Sequence, residues 1–367
     1  MAVGHRSYDP RASARGRGTL SPTGQPADPI ARGPAWTAPV LHRGRSYWKK
    51  DTGIGYTLAA VSTHRPARRR AMNRLGSVVV GVDFSTCGGS ALAQAVRLAA
   101  FGEATIFPVH VLDAMMFSDA ALGVTPFLPD MTGTMIADAK RNWPEVRAAA
   151  GAPPSLELEV VVGRPATEII ALARKQKAGL VVVGACGESS HTTIGTTAAA
   201  CVRHAPCPTL VVEEGKGGGF RRICVGVDFS LQSREALDMA MRVAAMDGSE
   251  VHAVHVFRAP WVGRRAKGSP LAQNTAAQAQ YRELLRDKLA AFCARRPELV
   301  WTNARTEVVE DASYGGGLAR YVREAKADLL VIGTRGHTNL RDVLLGSTAE
   351  RVVGLSPCSV LTVPPKP

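Results

Sequence analysis

The sequence predicts an α/β protein with two tandem domains, each built on a parallel sheet that is covered by helices on both faces. Two observations lead to this fold class. Apolar segments of strand length alternate with helical patterns along the chain, which is typical of parallel sheets whose strands are joined by helices. The same succession of segments occurs twice. The strands are almost continuously apolar, as expected for a sheet that is buried on both faces.

Four segments recur in the same order in the two halves of the chain. They are SVVVGVDFS at 77–85 and RICVGVDFS at 222–230, VHVL at 109–112 and VHVF at 254–257, LVVVG at 180–184 and LLVIG at 329–333, and APCPTLVV at 205–212 and SPCSVLTV at 356–363. The offset between the copies is almost constant and far longer than a solenoid repeat. Each copy also falls in the ordinary size range of one domain. The repeat therefore predicts two globular domains.

The domain boundaries follow from the repeat and from composition. The first domain is predicted over residues 76–213 and the second over residues 220–364, and they are called the first half and the second half below. Residues 214–219 between them are rich in glycine and polar, which predicts a flexible linker. Residues 1–71 precede both copies.

The second half shows its elements most clearly. Its five strand candidates are Arg222–Val227, Glu250–Phe257, Thr302–Val309, Asp328–Gly333 and Cys358–Val363. The helical patterns between them are Arg234–Met246, Leu271–Cys293, Gly317–Lys326 and Ser347–Val353. Strand and helix thus alternate through the whole half.

A glycine pattern follows the fourth strand of the second half. It reads Gly333-Thr-Arg-Gly336, then nine residues, then Gly346-Ser347. Glycine lets the backbone adopt positive φ and lets a ligand approach bare N–H groups, and a helix start favours an anion. The segment from Ser347 to Glu350 has the S-x-x-E form of a capping box. The complete spacing predicts a phosphate cradle, with two ordinary turns as the alternative.

This pattern resembles the ATP-binding signature of the universal stress protein family, G-x2-G-x9-G-[S/T]. Gly333, Gly336, Gly346 and Ser347 match it completely, and the resemblance covers most of the chain because the module appears twice. It implies Rossmann-like (adenine nucleotide alpha hydrolase-like) domains with strand order 3-2-1-4-5. That order would place the ends of strands one and four side by side, at the switch point where ligands bind in such sheets.

The resemblance also implies the ligand and its nucleoside contacts. The ligand would be ATP, with Mg²⁺ left open as a companion. Asp228 would accept hydrogen bonds from the ribose or the adenine, and Val256 would lie against the adenine. A cap for the following helix, shared with Ser230, is the other role open to Asp228. His255, the neighbour of Val256, is interpreted as a packed histidine rather than a catalyst.

The phosphates would be held by backbone N–H groups around Gly333–Gly336 and Gly346–Ser347, with Thr348 beside them. Ser347 would either cap its own helix or donate its hydroxyl to a phosphate oxygen, and capping alone is the favoured role. Arg335 lies inside the loop, where it would either neutralise phosphate charge or remain a solvated arginine.

The first half departs from the signature. Its corresponding residues are Asp83, Val111, Gly184, Gly187, Gly195 and Thr196, and its spacer is two residues shorter. Glu188 replaces His337, and Ala199 stands where Glu350 stands. A shorter loop, an added negative charge and a lost capping acid each weaken a phosphate site. We expect this half to bind ATP poorly or not at all, although Asp83 and Val111 preserve the nucleoside side.

Residues 1–71 carry most of the basic charge of the chain. They contain eleven Arg, two Lys and three Asp, which gives +10 of the total net charge of +14 and leaves only +4 for the two domains. The domains therefore give no indication of a nucleic-acid surface. The extension is predicted to be disordered. Met72 is the simplest start of translation, and an Arg-rich transit peptide is the alternative.

We expect deletion of residues 1–71 to change neither the thermal midpoint of unfolding nor the nucleotide affinity, because this segment lacks the apolar content of a core. Thermal melts and titrations of the full and shortened chains test this. A fall of many degrees in the midpoint would show that the extension docks on the domains.

Segment length, cysteine pattern and absent motifs exclude several classes of function. No segment reaches the length of a membrane span, and seven cysteines without a C-x2-C pair predict reduced thiols in a cytoplasmic protein. A metal site formed by Cys201, His204 and Cys207 is kept as an alternative to no metal. No Walker A lysine motif and no G-x-G-x-x-G after a first strand is present, so no catalytic residue is assigned.

The resemblance therefore leads to a non-enzymatic ATP-binding regulator or sensor in stress adaptation. A slow Mg-dependent ATPase and a nucleotide-independent protein-interaction module are the alternatives. The resemblance and the short linker further imply that the two domains pair within the chain, and a homodimer is left open. Neither nucleic acid nor membrane is expected as a partner.

Overall fold

The structure is a computed structural model that describes residues 40–42, 45–48, 56–57, 75–117, 131–186, 194–262, 270–294, 304–336 and 346–365. Within residues 1–71 it describes three short strands, β1 (Val40–His42), β2 (Arg45–Trp48) and β3 (Tyr56–Thr57). They form an antiparallel sheet of their own. The rest of this extension lies outside the described residues, so its disorder stays a prediction.

The first half alternates strands and helices. Its strands are β4 (Ser77–Gly81), β5 (Thr105–Asp113), β6 (Glu159–Gly163), β7 (Leu180–Gly184) and β8 (Thr209–Val212). Its helices are α1 (Thr86–Gly102), α2 (Met131–Ala149), α3 (Pro165–Lys175) and α4 (Thr196–His204), and a short 3-10 turn, Ala114–Phe117, follows β5.

The second half repeats this order. Its strands are β9 (Arg222–Gly226), β10 (Glu250–Phe257), β11 (Ala304–Glu310), β12 (Leu329–Gly333) and β13 (Ser359–Val363). Its helices are α5 (Leu231–Asp247), α6 (Pro270–Gln273), α7 (Thr275–Ala294), α8 (Tyr314–Glu324) and α9 (Ser347–Leu355).

Two helices of the second half differ from the prediction. The helix predicted over Leu271–Cys293 is divided into α6 and α7, because the side chain of Asn274 accepts a hydrogen bond from the Ala277 N–H at 2.9 Å and starts a new helix. Helix α8 begins three residues before the predicted Gly317. Its start is capped by Ser313, which accepts from the Gly316 N–H at 3.2 Å. Three consecutive glycines, which are poor helix formers, concealed this start in the sequence.

Ten strands of the two halves form one sheet in the order β11-β10-β9-β12-β13-β8-β7-β4-β5-β6. Every pair within a half is parallel, which confirms the predicted α/β fold with parallel sheets. Across the sheet, the strands of each half have the order third, second, first, fourth and fifth. The last strands, β8 and β13, pair antiparallel with Leu210 opposite Leu361. The sheets are therefore joined rather than separate, and each covers an edge that the other would leave unpaired.

Apolar layers cover both faces of the joined sheet and explain the apolar strands. In β4, Val78 and Val80 face the layer that contains α1 and α5, whereas Val79 faces the layer that contains α3 and α8. Leu92 of α1 and Leu237 of α5 are fully buried in the first layer. Strand residues therefore need apolar side chains on both faces.

The two halves also contact each other away from the sheet. Arg97 of α1 forms a salt bridge with Asp247 of α5, and the same carboxylate accepts from the Phe220 N–H at 2.8 Å. The linker, predicted to be flexible, lies against α1: the Gly215 N–H donates to Ser90 Oγ at 3.0 Å, and the side-chain amide of Gln94 donates to the Gly218 carbonyl at 2.6 Å. These contacts fix the two halves relative to each other.

No helix in the described part of the chain is both long enough and apolar enough to cross a membrane.

Candidate functional site

The ends of β9 and β12 lie side by side at the carboxyl edge of the sheet, as the predicted strand order requires. The two strands pair directly, Asp228 follows β9, and Gly333 ends β12. A side chain at Gly336 would place its Cβ 2.7 Å from Oδ2 of Asp228. The structure thus brings the carboxylate of Asp228, which was predicted to contact the nucleoside, next to the glycine loop.

The turn after β9 holds Asp228 in a fixed geometry. Its Oδ1 accepts a hydrogen bond from the Ser230 N–H at 2.9 Å, and Ser230 Oγ accepts from the Ser233 N–H at 3.1 Å. Ser230, and not Asp228, therefore caps α5. Between them Phe229 has φ +68°, a left-handed conformation that bulky residues rarely adopt and that often marks a functional turn. Phe84 repeats it with φ +61°, and sequence analysis identified neither residue.

His255 supports this turn from β10. Its Nδ1 bonds to the Val227 carbonyl oxygen at 2.7 Å, and its ring lies 4.4 Å from the ring of Phe229, measured between centroids. Burial lowers the pKa of His255, so that the neutral ring is favoured. It is a packed histidine, as predicted.

The glycines of the second-half loop have different structural roles. A Cβ at Gly333 would lie 2.9 Å from the Cβ of Gln232, so this glycine lets the first turn of α5 pack on the end of β12. Gly346 closes the loop, because its N–H donates to the Thr334 carbonyl at 2.8 Å. The Gly346 N–H is therefore engaged within the loop in this structure, and the use of the backbone N–H groups around Gly346–Ser347 for phosphate stays a prediction. The N–H groups that point out of the helix start belong to the first turn of α9.

The capping box predicted for Ser347 and Glu350 is wrong. The N-cap of α9 is Gly346, so Ser347 is already the first helical residue. The carboxylate of Glu350 forms a salt bridge with Arg203 of α4 at 2.6 Å. Two forces explain the difference: the bond from Gly346 to Thr334 fixes the helix start one residue earlier, and a cation of the other half attracts the acid. The absence of this acid at Ala199 therefore says nothing about phosphate binding in the first half.

Arg335 lies within the loop and is half-buried. Its Nε is buried and has no hydrogen-bond partner in the part of the chain that the structure describes. A buried guanidinium N–H needs an acceptor, and a solvated loop arginine would not be placed in this way. Of the two roles that the sequence left open for Arg335, this burial favours contact with an anion.

An open crevice of about 690 Å³ lies between the start of α8 and the length of α9, as far as Leu355 at the end of α9. Of the residues named in the sequence analysis it is lined by Thr348 and Glu350. Its other polar residues, which sequence analysis missed, are Arg258, Ser313, Tyr314 and Arg351. The first turn of α8 connects it to Val256, because a Cβ at Gly317 would lie 2.9 Å from a methyl carbon of that residue. Arg258 could have been found from the sequence, because it lies two residues after the predicted site residue Val256.

The degenerate site of the first half has the same framework. Oδ1 of Asp83 accepts from the Ser85 N–H at 3.1 Å, and the Gly195 N–H donates to the Ala185 carbonyl at 2.7 Å, as Gly346 does to Thr334. Both loops are thus anchored alike despite their different lengths. Val111 is half-buried on β5, and Thr196 is the first residue of α4.

The two loops differ in length, but the segments that contain this difference lie largely outside the described residues. Gly187, Glu188 and His337 are among the residues that the structure does not describe. One difference is visible. Cys186 occupies the position that Arg335 has in the second half, so the first half lacks the loop cation.

Among the described residues no group of three or more His, Cys, Asp or Glu side chains is arranged to hold a metal ion. Cys201, His204 and Cys207, the alternative metal site, therefore do not form such a group. Both thiols are buried, and burial raises the pKa of each to about 12.

Comparison with known proteins identifies the family. The model of the universal stress protein family matches residues 75–213 and again residues 219–364. This chain belongs to the universal stress protein family. A universal stress protein of Mycobacterium tuberculosis is 27% identical over 297 residues, which is 77% of this chain and 95% of the relative. One from Methanocaldococcus jannaschii is 32% identical over 145 residues, 39% of this chain and 82% of the relative.

The fold also matches solved structures. The crystal structure of a universal stress protein from Archaeoglobus fulgidus superposes with a TM-score of 0.53 at 19% identity, and the match covers 78% of this chain and 98% of that chain. At this identity the likeness concerns the fold, which is the tandem arrangement of two universal stress protein domains.

Proposed function

We propose that this universal stress protein binds one ATP in its second half and acts as a nucleotide-dependent regulator in stress adaptation. The observation that carries the proposal is the loop around Arg335. It combines a buried Nε without a partner among the described residues, a glycine against Asp228 and a helix start at Gly346. These features fit a ligand with both an anionic group and a polar ring substituent.

The residues present fit the parts of ATP. The phosphates would be held by the guanidinium of Arg335 and by the N–H groups of Ser347 and Thr348 in the first turn of α9. Asp228, an anion, suits the ribose hydroxyls rather than the phosphates. The base would lie in the crevice, which is lined by Tyr314 and has Val256 behind the first turn of α8.

The direct test is to denature the purified protein and to analyse the released small molecules for adenine nucleotide. Protein that releases none and that shows no heat of ATP binding would favour the nucleotide-independent interaction module. A phosphate-release assay with Mg²⁺ separates a regulator from a slow ATPase, because only the second turns over bound ATP.

We expect Arg335→Gln to weaken ATP binding by about 10- to 150-fold. A hydrogen bond to a charged group contributes about 1.5–3 kcal/mol, and each 1.4 kcal/mol corresponds to about a factor of ten in affinity. Isothermal titration measures the change. Arg174→Gln, at an exposed position of α3, is the matched control and should leave the affinity unchanged. Equal affinity in both variants would show that Arg335 does not contact the ligand.

A further inference from the structure

We infer that Cys87 and Cys186 form a reversible disulfide that joins the start of α1 to the loop after β7. The inference concerns the first half alone and does not depend on nucleotide binding. It changes the prediction that all seven cysteines are unpaired thiols.

The two thiols are held together by the packing of the loop on the helix. Their sulfur atoms lie 2.6 Å apart, about 0.5 Å more than a disulfide bond of about 2.05 Å. The Ser85 hydroxyl lies 3.5 Å from the Cys186 carbonyl oxygen, and a Cβ at Gly184 would lie 2.9 Å from the Cβ of Cys87. Formation of the disulfide therefore needs little movement of the start of α1 or of the loop after β7.

The pair differs in accessibility from the remaining cysteines. Cys186 is half-buried, whereas Cys87 is 1% exposed and the other five cysteines are buried. An oxidant in solution can therefore reach the pair only through Cys186. The neighbouring Cys87 thiol and burial raise the pKa of Cys186 to about 12, so its thiolate is scarce at neutral pH and the reaction should be slow.

A low-molecular-weight disulfide, RS–SR, supplies the oxidising equivalents. The thiolate of Cys186 attacks one sulfur of RS–SR, which breaks the S–S bond and releases RS⁻, later protonated to RSH. Cys87, having lost its proton to solvent, then attacks the Cys186 sulfur of the mixed disulfide and releases the second RS⁻, which is also protonated. Two protein thiols are oxidised by two electrons, and one RS–SR is reduced to two RSH.

The bond would join two segments of the first half that correspond to the proposed nucleotide site of the second half. The equivalent residues there are Gln232, which packs against Gly333, and Arg335, the proposed phosphate ligand. The proposed bond in the first half thus joins the helix start and the loop that only pack against each other in the second half.

The test is thiol counting on the full chain. The protein is equilibrated in buffers of oxidised and reduced glutathione, quenched in acid, denatured and alkylated. Intact mass should show that two of the seven thiols are protected in oxidising buffer, and a non-reducing digest should contain the peptides of Cys87 and Cys186 joined. Reduction with dithiothreitol should restore seven reactive thiols.

Matched variants decide the assignment. Cys186→Ser should lose this protection and should not form the linked peptide, whereas Cys207→Ala, a buried cysteine elsewhere in the half, should still protect two thiols. Wild-type protein with seven reactive thiols in every buffer, or with glutathione remaining on Cys186, would overturn the inference. So would joined peptides that contain another pair.

Thermal melting provides the second readout. A cross-link between residues 99 positions apart that fits the native geometry restricts the unfolded chain and stabilises the fold. Oxidation should therefore raise the midpoint of wild-type protein by several degrees and leave that of Cys186→Ser unchanged. An oxidised wild type that melts at or below the reduced midpoint would contradict a bond formed in the native geometry.

Discussion

Replacing Gly346 by valine should abolish ATP binding, whereas the same replacement at Gly195 should leave it intact. Each residue is the N-cap of its helix, with φ of −67° and −64°, so the backbone accepts a side chain at both positions. At Gly346 the new Cβ would lie 3.3 Å from the Thr334 carbonyl oxygen, and the branches of valine would project toward the start of α9. There they would block the approach of phosphate to backbone N–H groups.

The expected loss of affinity is at least about a hundredfold. It corresponds to two charge-assisted contacts of about 1.5–3 kcal/mol each at about 1.4 kcal/mol per tenfold change. The helix-cap cost of removing glycine is similar in both variants and cancels in the comparison. Circular dichroism should show that both variants remain folded.

Isothermal titration of the unmodified protein should give one ATP per chain. The Gly346→Val variant should show no heat, and the Gly195→Val variant should retain a stoichiometry near one. A stoichiometry of two that falls to one in each variant would show that the shorter loop of the first half also closes around phosphate.

Asp247→Ala should destabilise the protein by about 3–5 kcal/mol, the usual cost of removing one member of a buried ion pair. The Asp247 side chain is 7% exposed and its partner Arg97 21%. Burial lowers the pKa of Arg97 and Asp247 opposes that shift, so the guanidinium would lose its compensating charge. The Phe220 N–H would also lose its acceptor.

Urea unfolding measures the free energy of unfolding in this variant. Glu350→Ala is the matched control, because it removes a second ion pair between the halves, whose side chains are 39% and 56% exposed. Exposed pairs contribute at most about 1 kcal/mol, so this variant should remain close to the unmodified protein. Equal losses in the two variants would contradict a special role of the buried pair.

Most of the fold could be predicted from local sequence. Strands such as 329–333 are apolar throughout because both faces of the sheet are covered, and the duplication marked four of the five strands of each half by their copies in the other half. The neighbouring positions of Asp228 and the glycine loop followed from the strand order that the family resemblance supplied.

The rest depends on contacts between distant parts of the chain, which the local pattern does not contain. Glu350 was interpreted with Ser347, three residues away, but its partner is Arg203, 147 positions away. Cys186 was counted among seven reduced thiols, whereas its neighbour in space is Cys87, 99 positions away. In the same way, no local signal indicated that β8 would pair with β13.

The pairing of β8 with β13 affects which changes of sequence the two halves can accept. Two halves joined by a short tether meet at an effective concentration of millimolar order, so their association does not depend on how much protein a cell contains. Each half therefore keeps its partner at any expression level. The first half, which has Cys186 at the position of Arg335, still covers the edge of β13, so the residues of its loop can differ from those of the second half without loss of this pairing.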